Sequence, residues 1–339
     1  LRCGVKLMPI QQMLLGAGGV SEVTGQFMLT GDYNTYSGGN SYSWTVPDNV
    51  NSISVVCIGG GGTPLAGTSG YSSAGGGLAY ANNIPVTPGA SLTLTNHVKP
   101  YNSNNDTVIS GPASGSQAAW SLTAGCGYQK TGGDRSATGN PGSVTSSTPP
   151  GGNGGSGYDT VWWSFSYIFP GGGGAGGYGS NGGNGGYSPG CSGWGCTPTF
   201  NNGGTGGNGG GGGGGHGIGG SGSTGGDDTG IGGGGGGTAP YGQGANGSGG
   251  ASSTSTSPVN NGAAGQGGSP VAGKTGGTPA NNTNDGYDCW DAGIYGGGAG
   301  TGWSWHTVNQ PLPTQGGGCI RIIWPGDSRQ FPSTRTADE

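Results

Sequence analysis

The sequence predicts an all-β protein that carries an inserted body of stacked polyglycine II helices, with almost no α-helix. Three observations carry that prediction. First, 92 of the 339 residues are glycine, and 48 of them lie between residues 151 and 250, so glycine is concentrated rather than dispersed. Second, strand-like runs of β-branched and alternating residues flank that block on both sides. Third, the glycine runs are separated by aromatic segments, which a flexible Gly/Ser linker does not need. The expected β part is a small antiparallel β-sandwich closed by the strand nearest the C-terminus.

The β signals begin near residue 26. "SYSWTVPDNVNSISVVCIG" reads as a polar-apolar strand, a Pro-Asp-Asn turn and a strand of β-branched residues. "GGLAYANNIPVTPGASLTLTNH" reads as a strand, a Pro-Gly turn and a strand in which Leu92 and Leu94 alternate with Thr93 and Thr95. That alternation belongs to a half-buried antiparallel strand. Near the end, "GGCIRIIWPG" sets Cys319, Arg321 and Ile323 against Ile320, Ile322 and Trp324. One strand cannot stand alone, so this one is expected to return to the strands before residue 100, above all to residues 53–58. The glycine-rich body is then an insertion whose two ends lie close together.

Within that body the local period is Gly-Gly-X, as at Gly151-Gly152-Asn153, Gly182-Gly183-Asn184 and Gly206-Gly207-Asn208. Collagen would need Pro-rich filler at a strict period, and silk-like sheets would need Gly alternating with Ala or Ser. A polyglycine II helix has three residues per turn and no internal hydrogen bonds. Gly-Gly-X then leaves two edges as bare backbone, so helices can approach and pair their N–H and C=O groups with one another. The seven glycines 209–215 and the six of 232–237 are expected to be the most enclosed. At ~3.1 Å per residue, the run 203–215 would span roughly 40 Å.

The chain therefore divides into an N-terminal segment over 1–25, a β domain of 26–110 with 316–326, a glycine-rich body over 111–315, and a C-terminal tail over 327–339. The tail, "GDSRQFPSTRTADE" after Pro325, is expected to be exposed because it is Pro-containing and polar. Met8 reads as the natural start, with residues 1–7 an upstream extension. The alternative, a signal peptide, is interrupted by "PIQQ".

Charge and motifs narrow the function. Charged residues are 7% of the chain and the formal net charge is -5, with nine scattered Lys and Arg. No basic stripe for nucleic acid is present, and no apolar run approaches the ~20 residues of a membrane span. Setting Cys3 aside, the six remaining cysteines are structural disulfides or free thiols, and "CSGWGC" makes Cys191 and Cys196 the candidate local bridge. A zinc site would want a second ligand pair at similar spacing, and His97, His216 and His306 are far apart, so no metal or cofactor is expected. Asp227, Asp228, Asp288 and Asp291 could be imagined as carboxylate pairs, but Asp in Gly-rich turns is usually a turn former. No catalytic triad motif occurs. The chain reads as a binding or structural protein and not as an enzyme.

The segments between glycine runs are rich in aromatics. In "YDTVWWSFSYIFPG" the alternation allows a strand hairpin. Capping of the helix bundle explains any single one of these residues as well as recognition does. Taken together they are candidates for receptor binding: Trp162, Trp163, Phe165, Tyr167, Tyr187, Trp194, Tyr287, Trp290, Tyr295, Trp303, Trp305 and His306. Rigid aromatics flanked by Ser, Gly and Asn are efficient contact residues in variable binding loops.

"SWTVPDNVNSISVVCIGGGG", "GGGLAYANNIPVTPGASLTLT" and "GGGCIRIIWPGDSRQFPSTRTADE", with "MPIQQMLLGAGG" at Met8, resemble the glycine-rich-domain structural proteins of marine tailed phages, cyanophage-like. The ends carry the resemblance; the middle is similar in composition. By architecture the chain is also similar to the polyglycine-helix tail-fibre tip adhesins of T-even-like phages. The resemblance implies an extracellular virion protein, tail or fibre associated, that binds a host cell-surface glycan or outer-membrane protein and assembles with other virion or fibre proteins or with its own copies. The alternatives are a purely structural fibre-forming or capsid-decorating subunit and, as a minor one, an ice-binding protein. Neither nucleic acid nor membrane insertion is implied.

Overall fold

A computed structural model of the chain describes residues 24–30, 40–62, 72–96, 106–115, 118–127, 150–157, 161–163, 166–169, 171–186, 201–207, 217–218, 235–243, 246–247, 249, 293, 295–298, 300 and 316–332. Among these residues every helix or strand is a strand, and every strand pairing is antiparallel.

A five-stranded sheet has the order β1 (Gly25–Thr30), β12 (Cys319–Trp324), β3 (Ser52–Ile58), β4 (Leu78–Pro85), β8 (Gly151–Gly152). The expected return of the chain's end is seen here: β12 lies beside β3, from Cys319 opposite Ile58 to Ile323 opposite Ser54. A four-stranded sheet has the order β2 (Asn40–Thr45), β5 (Ser91–Asn96), β6 (Thr107–Gly111), β7 (Trp120–Ala124). The third sheet is small, with β11 (Gly217–Ile218), β10 (Ser166–Phe169) and β9 (Val161–Trp163) in that order.

The two predicted turns carry the chain between sheets. At the Pro-Asp-Asn turn Val50 N–H donates to Pro47 O at 3.3 Å and Asn49 takes a left-handed φ of 64°, so β2 ends in one sheet and β3 starts in the other. At the Pro-Gly turn Ala90 N–H donates to Thr87 O at 3.0 Å and Gly89 sits at φ 77°, which Gly adopts without a Cβ penalty. That turn leads β4 into β5.

One hydrophobic cluster joins the two larger sheets. Trp44, Leu92, Leu94, Ile109 and Leu122 of the four-stranded sheet are buried with Val55, Cys57, Ile320 and Ile322 of the five-stranded sheet. Two-residue alternation assigns these faces. The opposite face of the five-stranded sheet is also buried, by Val56, Ile58, Leu78, Cys319 and Ile323 packed with Tyr80, Tyr178 and Phe331. Coverage on both faces explains why β3 and β12 read as apolar runs broken only by the polar residues Ser52, Ser54 and Arg321. Bulk is matched to glycine across the strands. Trp324 lies opposite Gly25 and Trp120 opposite Gly111, and each indole occupies the space a Cβ would take.

The outer face of the four-stranded sheet is different. Its register lines up Ser43, Thr93, Ser110 and Ser121 in one row, with Thr45 and Ser91 on one side and Ser41, Thr95, Val108 and Thr123 on the other. The β2 and β5 residues Ser41, Ser43, Thr45, Ser91 and Thr93 are exposed.

Two expectations need correction. The β region was expected to end at 110, but β7 lies beyond it, paired to β6 from Thr107–Ala124 to Gly111–Trp120. The tail over 327–339 was expected to be exposed; Asp327 and Ser328 are, but Phe331 is 2% and Arg329 8% exposed, and 333–339 lie outside the described residues. The second face of the five-stranded sheet needs an aromatic cover, and Phe331 supplies it. Its ring stacks on Tyr178 at 6.1 Å, and its N–H donates to Asn82 Oδ1 at 2.9 Å. Arg329 donates from Nη1 to the carbonyls of Trp324 and Gly25 at 2.8 and 2.5 Å.

Candidate functional site

Glycine segments leave the β layers at one end. β3 runs on into 59–62, β4 is preceded by 72–77 and β12 by 316–318, and the register Leu78–Ile58–Cys319 sets all three departures side by side. β7 runs on into 125–127.

Their backbone groups pair with one another at a fixed step. Gly173 and Gly176 N–H donate to Ser73 and Gly76 O; Gly182 and Gly185 donate to Asn153 and Ser156. In the opposite sense, Gly171 and Gly174 donate to Gly186 and Gly183, Gly59 and Gly62 to Gly77 and Ala74, and Gly235 and Thr238 to Gly298 and Tyr295. Gly204 and Gly207 donate to Asn184 and Asn181 likewise. In each pair of segments the donor advances by three residues and the acceptor by three. A β ladder would repeat every two.

Between these repeats the bonds turn to other neighbours. Gly75 donates to Gly155 O at 3.0 Å, Gly76 to Gly296 O at 2.7 Å and Gly77 to Gly125 O at 2.8 Å. Segment 72–77 is thereby enclosed, and its residues are buried. A Cβ built on Gly75 would lie on the carbonyl oxygen of Gly174, and one on Gly154 on that of Gly75. The positions that carry side chains are used as well. Asn181 and Asn184, three residues apart, accept through Oδ1 from the N–H groups of Asn153 and Ser156 at 3.0 and 2.8 Å.

Arg321 is fully buried on the second face of the five-stranded sheet. It donates from Nε to Gln26 Oε1 at 3.1 Å, from Nη2 to the same oxygen, and from Nη1 to Pro240 O at 3.0 Å. Its guanidinium lies 4.6 Å from the Tyr241 ring centroid, which provides a cation–π contact. Burial lowers its pKa. Tyr178 Oη donates to Ala239 O at 2.9 Å and accepts from Gly242 N–H at 3.0 Å. Tyr178, Arg321 and the 238–242 stretch therefore tie the glycine segments to the sheet. Sequence reading missed Tyr178 and Tyr241, which stand as single aromatics among glycines. It placed Arg321 on a face without foreseeing its burial.

Cys57, Cys126 and Cys319 are buried, and none of the three is in a disulfide. Burial pushes the thiols of Cys126 and Cys319 up to about 12 and that of Cys57 well above its ordinary range. Thiols held protonated in this way are poor nucleophiles and poor metal ligands. Of the two readings left open, these three cysteines are thiols. Cys191 and Cys196 lie outside the described residues.

Of the aromatic candidates, Trp162, Trp163 and Tyr167 fall in the expected hairpin, with Trp162 opposite Tyr167 and Trp163 opposite Ser166. Tyr295 is half-buried at φ 58°, packed on the Tyr178–Phe331 cluster, and its carbonyl accepts from Thr238 N–H at 3.0 Å. Phe165, Tyr187, Trp194, Tyr287, Trp290, Trp303, Trp305 and His306 lie outside the described residues. So do Asp227, Asp228, Asp288 and Asp291. Among the described residues no three His, Cys, Asp or Glu side chains gather as a metal site, and no helix is long and apolar enough to cross a membrane. No protein-family model matches the chain, and no curated protein is significantly similar to it.

Proposed function

We propose that the glycine segments form a polyglycine II bundle, mounted on a β-sandwich that β12 closes, and that the bundle is a rigid strut for host-surface recognition by a virion appendage. The observation that carries this reading is the three-residue recurrence of hydrogen bonds between segments, in both relative directions. Three residues per turn is the period of that helix, and bonds that radiate to several neighbours make a solid body rather than a ladder. A strut of this kind holds the loops between its helices in place before contact, so binding costs less ordering entropy. The work is binding, with no chemical step. The resemblance of the chain's ends to structural proteins of marine tailed phages supports the virion setting, tail or fibre associated. The ligand class is then a cell-surface glycan or an outer-membrane protein.

Purified protein should bind host cells and block adsorption of the phage. Trp163→Ala, Trp194→Ala, Trp290→Ala and Trp303→Ala together should cut cell binding at least tenfold with the melting temperature little changed. Full binding by that variant sinks the adhesin reading. Assembly into fibres or onto capsids without any cell binding favours a purely structural subunit.

A further inference from the structure

We propose that the outer face of the four-stranded sheet is a second binding surface, for a short stretch of neutral carbohydrate. It does not depend on the aromatic loops. The register sets Ser43, Thr93, Ser110 and Ser121 in one line across four strands, with hydroxyl rows on both sides. Of the ten residues that point outward from these strands, nine are Ser or Thr, the tenth is Val108, and none is charged. Half-buried sheet faces are normally mixed in charge and polarity; here one functional group is repeated.

A hydroxyl is both donor and acceptor and rotates to suit its partner. Ser43 and Ser91 already show this by sharing a hydrogen bond of 2.6 Å across the strands. An array of such groups matches the mixed donors and acceptors of sugar hydroxyls and offers nothing to an ionic ligand. Size decides against a protein partner. From Ser41 to Thr45 and from β2 to β7 the face measures roughly 14 by 14 Å between Cα positions, far below the about 800 Å² per side of a stable protein interface. It fits a few sugar units. Twist decides against an ice plane, because successive strands rotate by about 20°, and a flexible oligosaccharide can follow that rotation. Each site would bind weakly, and many copies on one appendage would add avidity.

The test is an amide-shift titration of the full chain with maltoheptaose, cellohexaose and laminarihexaose. The expected result is a saturable shift centred on Thr93, Ser110 and Ser121 with at least one of them. In the variant Thr93→Val with Ser110→Val the affinity should fall about tenfold. Valine suits an exposed strand, so an unchanged melting temperature checks the fold. Trp163→Ala should leave the shifts intact, which separates this surface from the proposed loop adhesin. No saturable shift with any of the three sugars, or shifts that persist in the valine variant, overturns the proposal. So does a dimer, or inhibition of ice recrystallisation, that the valine variant abolishes.

Discussion

At Gly75 and Gly154 the space for a methyl group is occupied by a backbone carbonyl oxygen that cannot move without its whole segment. Gly75→Ala and Gly154→Ala should therefore each destabilise the protein by about 3 kcal/mol, at the upper end of overpacking costs. Gly89 has open space and only a strained φ, so Gly89→Ala should cost about 1 kcal/mol. Urea unfolding of the three variants checks the order. Arg321→Lys should cost about 2 kcal/mol, because one ammonium cannot replace a planar fork that meets both Gln26 and Pro240. The buried thiols set an alkaline limit. Their pKa is raised by folding, so the native state holds these protons more tightly than the unfolded chain. That contribution is complete below the ordinary thiol value of 9.0 and is lost as the pH climbs from there to about 12. Three units amount to about 4 kcal/mol per thiol. Stability measured at pH 8 and pH 11 should fall steeply, and Cys126→Ala with Cys319→Ala should flatten the fall.

Strands show which parts of the fold were legible. β5 could be read because one face meets solvent, so Leu92 and Leu94 stand out among Ser91, Thr93 and Thr95. β12 could be assigned beside β3 because a lone strand near residue 320 must join a sheet, and residues 53–58 are a matching β-branched run. β6 and β7 were harder: five residues each, such as "TVISG" and "WSLTA", carry too little pattern among Ser and Gly. Residues 329–331 of the tail were misread for a physical reason. Composition describes average polarity, while one residue, Phe331, decides where the segment packs. Phe331→Ala should cost about 3–5 kcal/mol, as for large core truncations, because Tyr80 and Tyr178 each lose the ring that packs against them. A surface tail would lose almost nothing, so thermal unfolding of this variant distinguishes the two cases. For the candidate site, the Gly-Gly-X period was legible. The aromatics that tie it to the sheet were not, since Tyr178 and Tyr241 have no periodic neighbours.

On the scale of the molecule, the question is whether the β layers and the glycine body open as one unit. The sheet has a conventional core, whereas the body has few side chains to bury. Its stability must come from backbone hydrogen bonds and close contact, each worth about 1 kcal/mol net or less. Such a body persists only if the bonds form together and its ends are fixed. The ends are fixed where 59–62, 72–77 and 316–318 continue directly from β3, β4 and β12, and bonds anchored in this way are expected to open with the sheet. Hydrogen exchange should therefore place the amides of Gly75, Gly155 and Gly174 in the same slow class as those of Val55 and Val56 in β3. Weakening the sheet with Ile322→Ala, a core truncation of about 2–5 kcal/mol, should speed both groups together by a similar factor. If the glycine amides exchange fast in the unaltered protein, or stay slow while the β3 amides speed up, the glycine body is not the sheet-anchored strut proposed here.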